Sequence, residues 1–517
     1  MFEGEDLPTH TQRIQQLDSK YQWQIDHGIF KPYVYPFGTF GVFLVILYLL
    51  IPHHNRLFVR KLRFAAWAAN LIFSIHIILH FRVRKAPIDY GVGLITWWFV
   101  LWTTAVMIVH DGQEEFARIE RREGATRTVP VAQQEENGSA VSPVHPKSIT
   151  MSVKWQQYPT GSIIENIDWV FDLLSNFRGM SWNWRISSMP SPPEFVSKSL
   201  KASAGSVKEA SRPKPPHKAV SRDQLLRDAG KWFIIGYLCL DFLRTIVIHD
   251  PYYRGLGTNH KIGYLPSALQ DSPAFHQAYR LVIGLGAVYW ALATIFTLAP
   301  LFFCGILGTD KIGIRGEAWM YPREWGSFTS VLDKGLAGWW GIWWHQTFRF
   351  AFEAPSRKLT ESLHIDRRSI RGKVLQLFVA FALSGSIHAC GSFTSIGDTR
   401  PIRGPFMFFI LQPFGIMGQA FLAKALQKAG ITYRLPTRLR RAGNFVVVHT
   451  WFYYTAPLLI DDLAAGGTFL YEPVPFSISR LLGLGGKDEL SLCWASPLTW
   501  LSWHGADLWW ESGLVVN

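Results

Sequence analysis

Charged residues are scarce in this chain. Asp, Glu, Lys and Arg make up 17% of its 517 residues, where about a quarter is usual in a soluble protein. That shortage argues against a water-soluble globule. Cysteine is scarcer still: Cys239, Cys304, Cys390 and Cys493 stand far apart, and three of them lie in apolar runs. Such spacing fits neither a disulfide framework nor a metal site, so no metal is expected. The polar stretch 1–35 lacks the basic-then-apolar pattern of a signal peptide, and the first apolar span is expected to direct insertion itself. No internal repeat or pair of matching broken helices marks a transporter. The net charge is +14, yet no Arg-rich strip with interleaved aromatics stands in a polar context. Nucleic acid is therefore not an expected partner.

What is present is strongly segregated. Hydrophobic residues make up 48%, while the mean hydropathy is only +0.09, because apolar blocks of near-membrane length alternate with polar, Pro-rich ones. The 23 Trp suit a protein with two membrane interfaces, where amphipathic rings settle. About 20 apolar residues cross the hydrocarbon. The expected spans are 36–52, 64–81, 91–110, 231–248, 279–305, 373–390, 404–423 and 444–461. Two weaker candidates are 325–352, which is punctuated by Gly, and 492–510. The expected fold is all-α: a polytopic integral membrane protein with about eight to ten transmembrane helices.

Four segments follow: a polar N-terminus at 1–35, three first helices within 36–110, a polar block at 111–230, and a membrane core at 231–510. Within the polar block, Asp111 to Lys147 and Val196 to Arg222 have the composition of flexible chain. Trp155 to Ile186 lies between them with apolar and aromatic residues, and reads as an ordered interfacial helix and turn. Basic loops around Arg56–Arg63, Arg357–Lys373 and Lys424–Arg441 fall on one side if 325–352 dips in without crossing. The positive-inside rule makes that side cytosolic and the N-terminus luminal, although Arg82, Arg84 and Lys85 then fall on the wrong side. The acceptor sequence at Asn137 is then cytosolic and unglycosylated.

Ionisable groups inside apolar runs are functional candidates by default. Asp241 and Arg244 stand three apart in one span and can neutralise one another. His388 closes the run Val374–Ser384. Its bland alternative is a bond to a backbone carbonyl. Histidine is the side chain best suited to taking a proton near neutral pH, and the small residues Ser384, Gly385 and Ser386 leave room for a substrate beside it. Cys390 sits in apolar surroundings that keep a thiol inert. His345 follows a Trp-rich stretch. On a continuous helix it would share a face with Arg349, and Trp344 would lie beside them, forming either a buried aromatic slab or a polar seam facing a cavity.

Three strings occur in order: Arg178-Gly-Met-Ser-Trp-Asn-Trp184, then Pro322-Arg-Glu-Trp-Gly-Ser-Phe328 running on to Trp344-His-Gln346, then Ser384-Gly-Ser-Ile-His388. Together they resemble the wax-synthase-like branch of the membrane-bound O-acyltransferases, over roughly residues 160–460. The resemblance implies a catalytic His at His388 and a second polar residue at His345. It implies acyl-CoA, most simply acetyl-CoA, as a co-substrate with no bound cofactor. It further implies a hydrophobic terpenoid or meroterpenoid alcohol as acceptor in fungal secondary metabolism, and membrane lipid, of the endoplasmic reticulum, as surroundings. Expected substrate contacts are Trp344, Gln346, Arg349, Ser384 and Asn183. Plant wax synthases tend to have Trp-Gly-Arg-Arg-Trp where this chain has Trp340-Gly-Ile-Trp-Trp344, which favours the fungal branch over a long-chain wax synthase. A transporter or sterol-binding membrane protein is the alternative of another class.

Overall fold

The computed structural model describes residues 7–121, 152–202, 207, 209, 220–484, 490–494 and 500–516. Asn137, most of 111–147 and much of 196–222 lie outside the described residues. The chain is mostly helical. The main helices are α1 His10–Asp26, α2 Phe40–Leu49, α3 Leu57–His80, α4 Ala86–Thr103, α5 Ile163–Ser175 and α6 Arg222–His249. They continue with α7 Pro273–Pro300, α8 Arg349–Ser362, α9 Ile370–Thr394, α10 Met407–Lys428, α11 Thr437–Thr455 and α12 Pro457–Ala465. Six stretches among the described residues are long and apolar enough to cross a membrane: Leu57–His80, Ala86–Val109, Arg222–His249, Pro273–Gly316, Ile370–Thr394 and Ile402–Lys428. The chain is an integral, multi-pass membrane protein.

Six is fewer than the eight to ten expected, and each difference has a local cause. The expected span 36–52 contains only the short apolar helix Phe37–Leu49. The expected span 444–461 is divided between α11 and α12, and α12 opens on Pro457, which has no N–H with which to continue the preceding helix. In the candidate at 492–510, the described residues form no long helix. Its apolar run is interrupted by Ser502, His504 and Gly505, and Leu501–His504 instead pairs antiparallel with Gly513–Val516. The stretch 325–352 breaks into short turns at Thr329–Lys334, Leu336–Gly338 and Trp339–Trp343. Gly335 makes the first break with φ +60°, and a Cβ there would lie 1.9 Å from the Gln419 amide.

The chain divides into two compact units, one of 1–111, 231–296 and 324–517, the other of 112–230 and 297–323. In the second unit, Arg118–Arg121 pairs antiparallel with Val153–Gln156. Arg118 donates to Asp168 at 2.6 Å and to Asp172 at 3.2 Å. Helix α5 buries Asn166, Trp169, Val170 and Leu173 while exposing Ile163, Ile164, Ile167 and Phe171. An exposed apolar helix face of this kind suits a headgroup boundary better than water.

In the first unit, several buried polar side chains are tied to distant partners. Asp111, just beyond the Ala86–Val109 stretch, bonds to His53 at 2.9 Å, accepts from Arg60 at 2.6 Å and is ion-paired with Arg63 at 2.9 Å. Burial alone would raise its pKa, but His53 and the two guanidinium groups outweigh it and hold Asp111 below the usual carboxylate value. Asp241 accepts the Ser479 N–H at 2.7 Å, and Arg244 donates to Glu472 at 2.9 Å. Their bonds thus reach the C-terminal segment. Gln419 accepts the Leu336 N–H at 2.8 Å and donates to Asn444 at 3.0 Å, and Asn444 donates to the Leu332 carbonyl at 2.8 Å. Bonds of this kind let polar groups lie inside a bundle without stranding donors in hydrocarbon.

Helices α4 and α9 pack against each other at close range. A Cβ on Gly93 would lie 2.2 Å from the Cys390 carbonyl, and one on Gly391 would lie 2.9 Å from the Tyr90 carbonyl. Thr394 donates to the Asp89 carbonyl at 2.6 Å, and Trp97 donates to Ser386 at 2.9 Å. Gly93→Val should force these backbones apart and destabilise the fold by about 1–3 kcal/mol, as overpacking does. Gly443→Ala is the control, since a Cβ there meets nothing within 4 Å. Thermal midpoints in detergent should fall for the first and hold or rise for the second. Equal midpoints for Gly93→Val and wild type would contradict the packing argument.

Candidate active site

His388 stands on α9, whose start is capped by Ser369 accepting the Gly372 N–H at 3.0 Å. Its imidazole is held on two sides. Nδ1 lies 2.9 Å from the Tyr90 Oη. The Phe409 ring, from α10, stacks on it with centroids 4.6 Å apart and planes at 14°. Nε2 has no hydrogen-bond partner among the described residues, and His388 lines a cavity of about 490 Å³.

The cavity has two characters. Around His388 its wall is aromatic, formed by Trp340, Phe381, Phe408, Phe409 and Phe452. It is also lined by basic side chains: Lys373, in the first turn of α9, and Arg349 and Arg357 on either side of Glu353. Glu353 accepts from both Arg349 and Arg357 at 2.5 Å, and Lys373 is exposed. At 1.5 Å per residue, about 22 Å of helix separates Lys373 from His388. One buried amide supports the aromatic wall: Gln412 Oε1 accepts from the indoles of Trp340 at 3.2 Å and Trp451 at 3.1 Å.

His345 lines the same cavity. Four rings surround it: Phe296 at 5.5 Å, Trp325 at 5.8 Å, Trp344 at 5.4 Å and Phe348 at 5.5 Å. The backbone is shaped locally by Gly326, which donates to the Trp343 carbonyl at 3.0 Å. A Cβ on Gly326 would lie 2.2 Å from the Ile342 carbonyl, so no larger residue fits there.

Of the expected site residues, His388, His345, Trp344, Gln346, Arg349 and Ser384 all line this cavity. Three expectations need correction. His345 and Arg349 do not share a helix face. The helical turn stops at Trp343, Trp344 is extended with ψ 145°, and a new helix begins at Arg349. Gln346 is no free donor to a substrate. It donates to the Trp340 carbonyl at 3.1 Å and the Trp344 carbonyl at 2.5 Å, and accepts from Arg349 at 2.7 Å. It therefore holds the loop that carries His345. Asn183 does not line the cavity. It accepts the Ala117 N–H at 3.2 Å and donates to the Glu115 carbonyl at 2.8 Å, as a fastener within the second unit. In the same motif, Arg178 donates to the carbonyls of Pro322 at 3.0 Å and Arg323 at 3.3 Å.

Sequence reasoning missed Tyr90, Phe409 and Gln412. Gln412 carried a usable signal, being an amide inside an apolar span. Phe409 carried none, as one Phe among many in α10. Tyr90 stood at the edge of an expected span, where a tyrosine reads as an interface ring.

A family model described as "Membrane bound O-acyl transferase family" matches residues 321–411, the stretch that holds both histidines. Several curated fungal proteins are similar over longer lengths. One is an O-mevalon transferase of Aspergillus niger, 25% identical over 69% of this chain and 71% of the relative. Another is an acetyltransferase of Aspergillus fumigatus, 23% identical over 66% of this chain and 75% of the relative. A third is an acetyltransferase of Calcarisporium arbuscula, 28% identical over 37% of this chain and 44% of the relative. No solved structure matches the chain. The family match over residues 321–411, the fungal relatives and the membrane-spanning helices agree: the chain is similar to the membrane bound O-acyl transferases, and is an acyltransferase.

Proposed function

We propose that the protein transfers an acetyl group from acetyl-CoA to a hydroxyl of an apolar, polycyclic terpenoid or meroterpenoid alcohol, in the membrane of the endoplasmic reticulum. The observation that carries this reading is a single cavity lined by His388, by aromatic rings and by Arg349, Arg357 and Lys373, the last in the first turn of α9. The cations suit the phosphates of CoA, and the length of α9 between Lys373 and His388 suits its extended arm. Aromatic walls suit a ring-rich acceptor arriving from lipid. Relatives named acetyltransferases support the donor. The positive-inside rule puts the basic end on the cytosolic side, where acetyl-CoA is.

The steps follow from the site. His388 Nε2 takes the hydroxyl proton as the alcohol oxygen attacks the thioester carbonyl. The new C–O bond leaves a tetrahedral oxyanion, to which His345 donates a hydrogen bond. The intermediate collapses, the C–S bond breaks, and the thiolate takes the proton back from the His388 imidazolium. The products are an ester and free CoA. No acyl-enzyme is needed, because the thioester is already activated.

The test is release of CoA thiol by microsomes given acetyl-CoA and a polycyclic terpenoid alcohol. His388→Ala should keep its elution profile in detergent and lose about 10²–10⁴ in rate. Near wild-type turnover would refute the assignment. His345→Asn should retain measurable transfer, while His345→Ala loses roughly 10²-fold or more, as when an oxyanion donor is removed. Equal activity of the two would place His345 outside the chemistry.

The basic end gives a separate prediction. Arg357→Glu and Lys373→Glu should each raise KM for acetyl-CoA about tenfold, roughly 1.4 kcal/mol, with KM for the alcohol unchanged. Added salt should raise the wild-type KM in the same direction. An unchanged KM for acetyl-CoA in both variants would move the donor site elsewhere.

A further inference from the structure

We infer that Tyr90 is the positioning residue for His388: its phenol oxygen accepts the Nδ1–H and so fixes the tautomer that leaves Nε2 free to act as base. The inference rests on the acyl-transfer reading above and adds a residue from a helix far away in sequence. Tyr90 Oη lies 2.9 Å from His388 Nδ1. Tyr90 is not among the residues that line the cavity, so its hydroxyl acts on a substrate only through the imidazole.

A neutral imidazole carries its proton on one nitrogen, and the bond made by that nitrogen selects which one. A phenol oxygen can either donate or accept. If Tyr90 donated to Nδ1, the proton would sit on Nε2, the edge towards the cavity, and His388 would be no base. With Nδ1–H donating to Tyr90, the Nε2 lone pair faces the alcohol. The same bond then steadies the imidazolium formed during attack. A carboxylate does this in serine proteases. A neutral phenol does it more weakly, without placing a charge in an apolar chamber.

The surrounding contacts hold the pair in register. A Cβ on Gly391 would lie 3.1 Å from the Tyr90 ring, and one on Gly93 would lie 2.2 Å from the Cys390 carbonyl. Trp97, two turns beyond Tyr90 on α4, donates to Ser386, two residues before His388, at 2.9 Å. Phe409 covers one face of the imidazole. The ring therefore has little freedom to turn Nε2 away.

Tyr90→Phe keeps the ring and removes one oxygen. It should lower kcat about ten- to a hundredfold, less than the roughly 10⁴-fold that a wrong tautomer costs a serine protease. KM for acetyl-CoA and for the alcohol should stay within about twofold, since an interaction felt in the transition state lowers kcat without raising KM. In a His388→Ala background, Tyr90→Phe should have no further effect, because residues acting as a unit are not additive. Wild-type kcat in Tyr90→Phe, or the same fold-loss with and without His388, overturns the inference. An equal kcat loss in Trp97→Phe, which cuts another bond between the same helices, also overturns it. If Tyr90→Phe fails to fold, Gly391→Ala takes its place, because it presses on the phenol. A kcat loss at unchanged KM then supports the role, and wild-type kcat overturns it. A wild-type protein that transfers no acetyl group defeats the acyl-transfer reading and Tyr90 together. An active wild type with an unaffected Tyr90→Phe defeats Tyr90 alone.

Discussion

The close approach of α4 and α9 is the constraint on which the site depends. Gly93 lies against the Cys390 carbonyl, and Gly391 lies against Tyr90. Without a hydrophobic force between helices in lipid, association rests on such close packing and on bonds across it. Here that packing also brings Tyr90 to within 2.9 Å of His388. One contact thus joins the first helices to the core and sets the orientation of an imidazole. The family match begins only at residue 321, yet the histidine it contains is held from residue 90.

The second constraint is the treatment of the Trp-rich stretch. Apolar content alone would let 325–352 form a helix. Gly335, at φ +60°, and Gly326, pressed on the Ile342 carbonyl, turn it into a folded slab. Gln412 and Gln419, from α10, satisfy its indole and backbone donors. The slab supplies one wall of the cavity and carries His345 at its end. Aromatic bulk, loop geometry and buried amides act here as one unit.

Much of this was legible in the sequence, and the limits have physical causes. His388, His345, Trp344, Arg349 and Ser384 were expected as site residues and line one cavity; the histidines stood out because an ionisable group in an apolar run has few reasons to be there. The apolar runs of α3, α4, α9 and α10 were long enough to read directly. Pro457 was in plain view, but the apolar residues around it masked the break. Gln346 was read as a substrate contact for its place beside His345, and sequence cannot show that its amide is taken up by the carbonyls of Trp340 and Trp344. Asn183 belongs to a string that carries the family resemblance, yet its amide fastens backbone. Tyr90 was beyond reach, since nothing local announces a partner 298 residues away.

The most direct measurement is a cryo-EM map of the protein with CoA and a polycyclic terpenoid alcohol bound. The account predicts the CoA sulfur and the alcohol oxygen beside His388 Nε2, with the phosphates against Arg357 and Lys373. CoA density outside this cavity, or a sulfur turned away from His388, would contradict it.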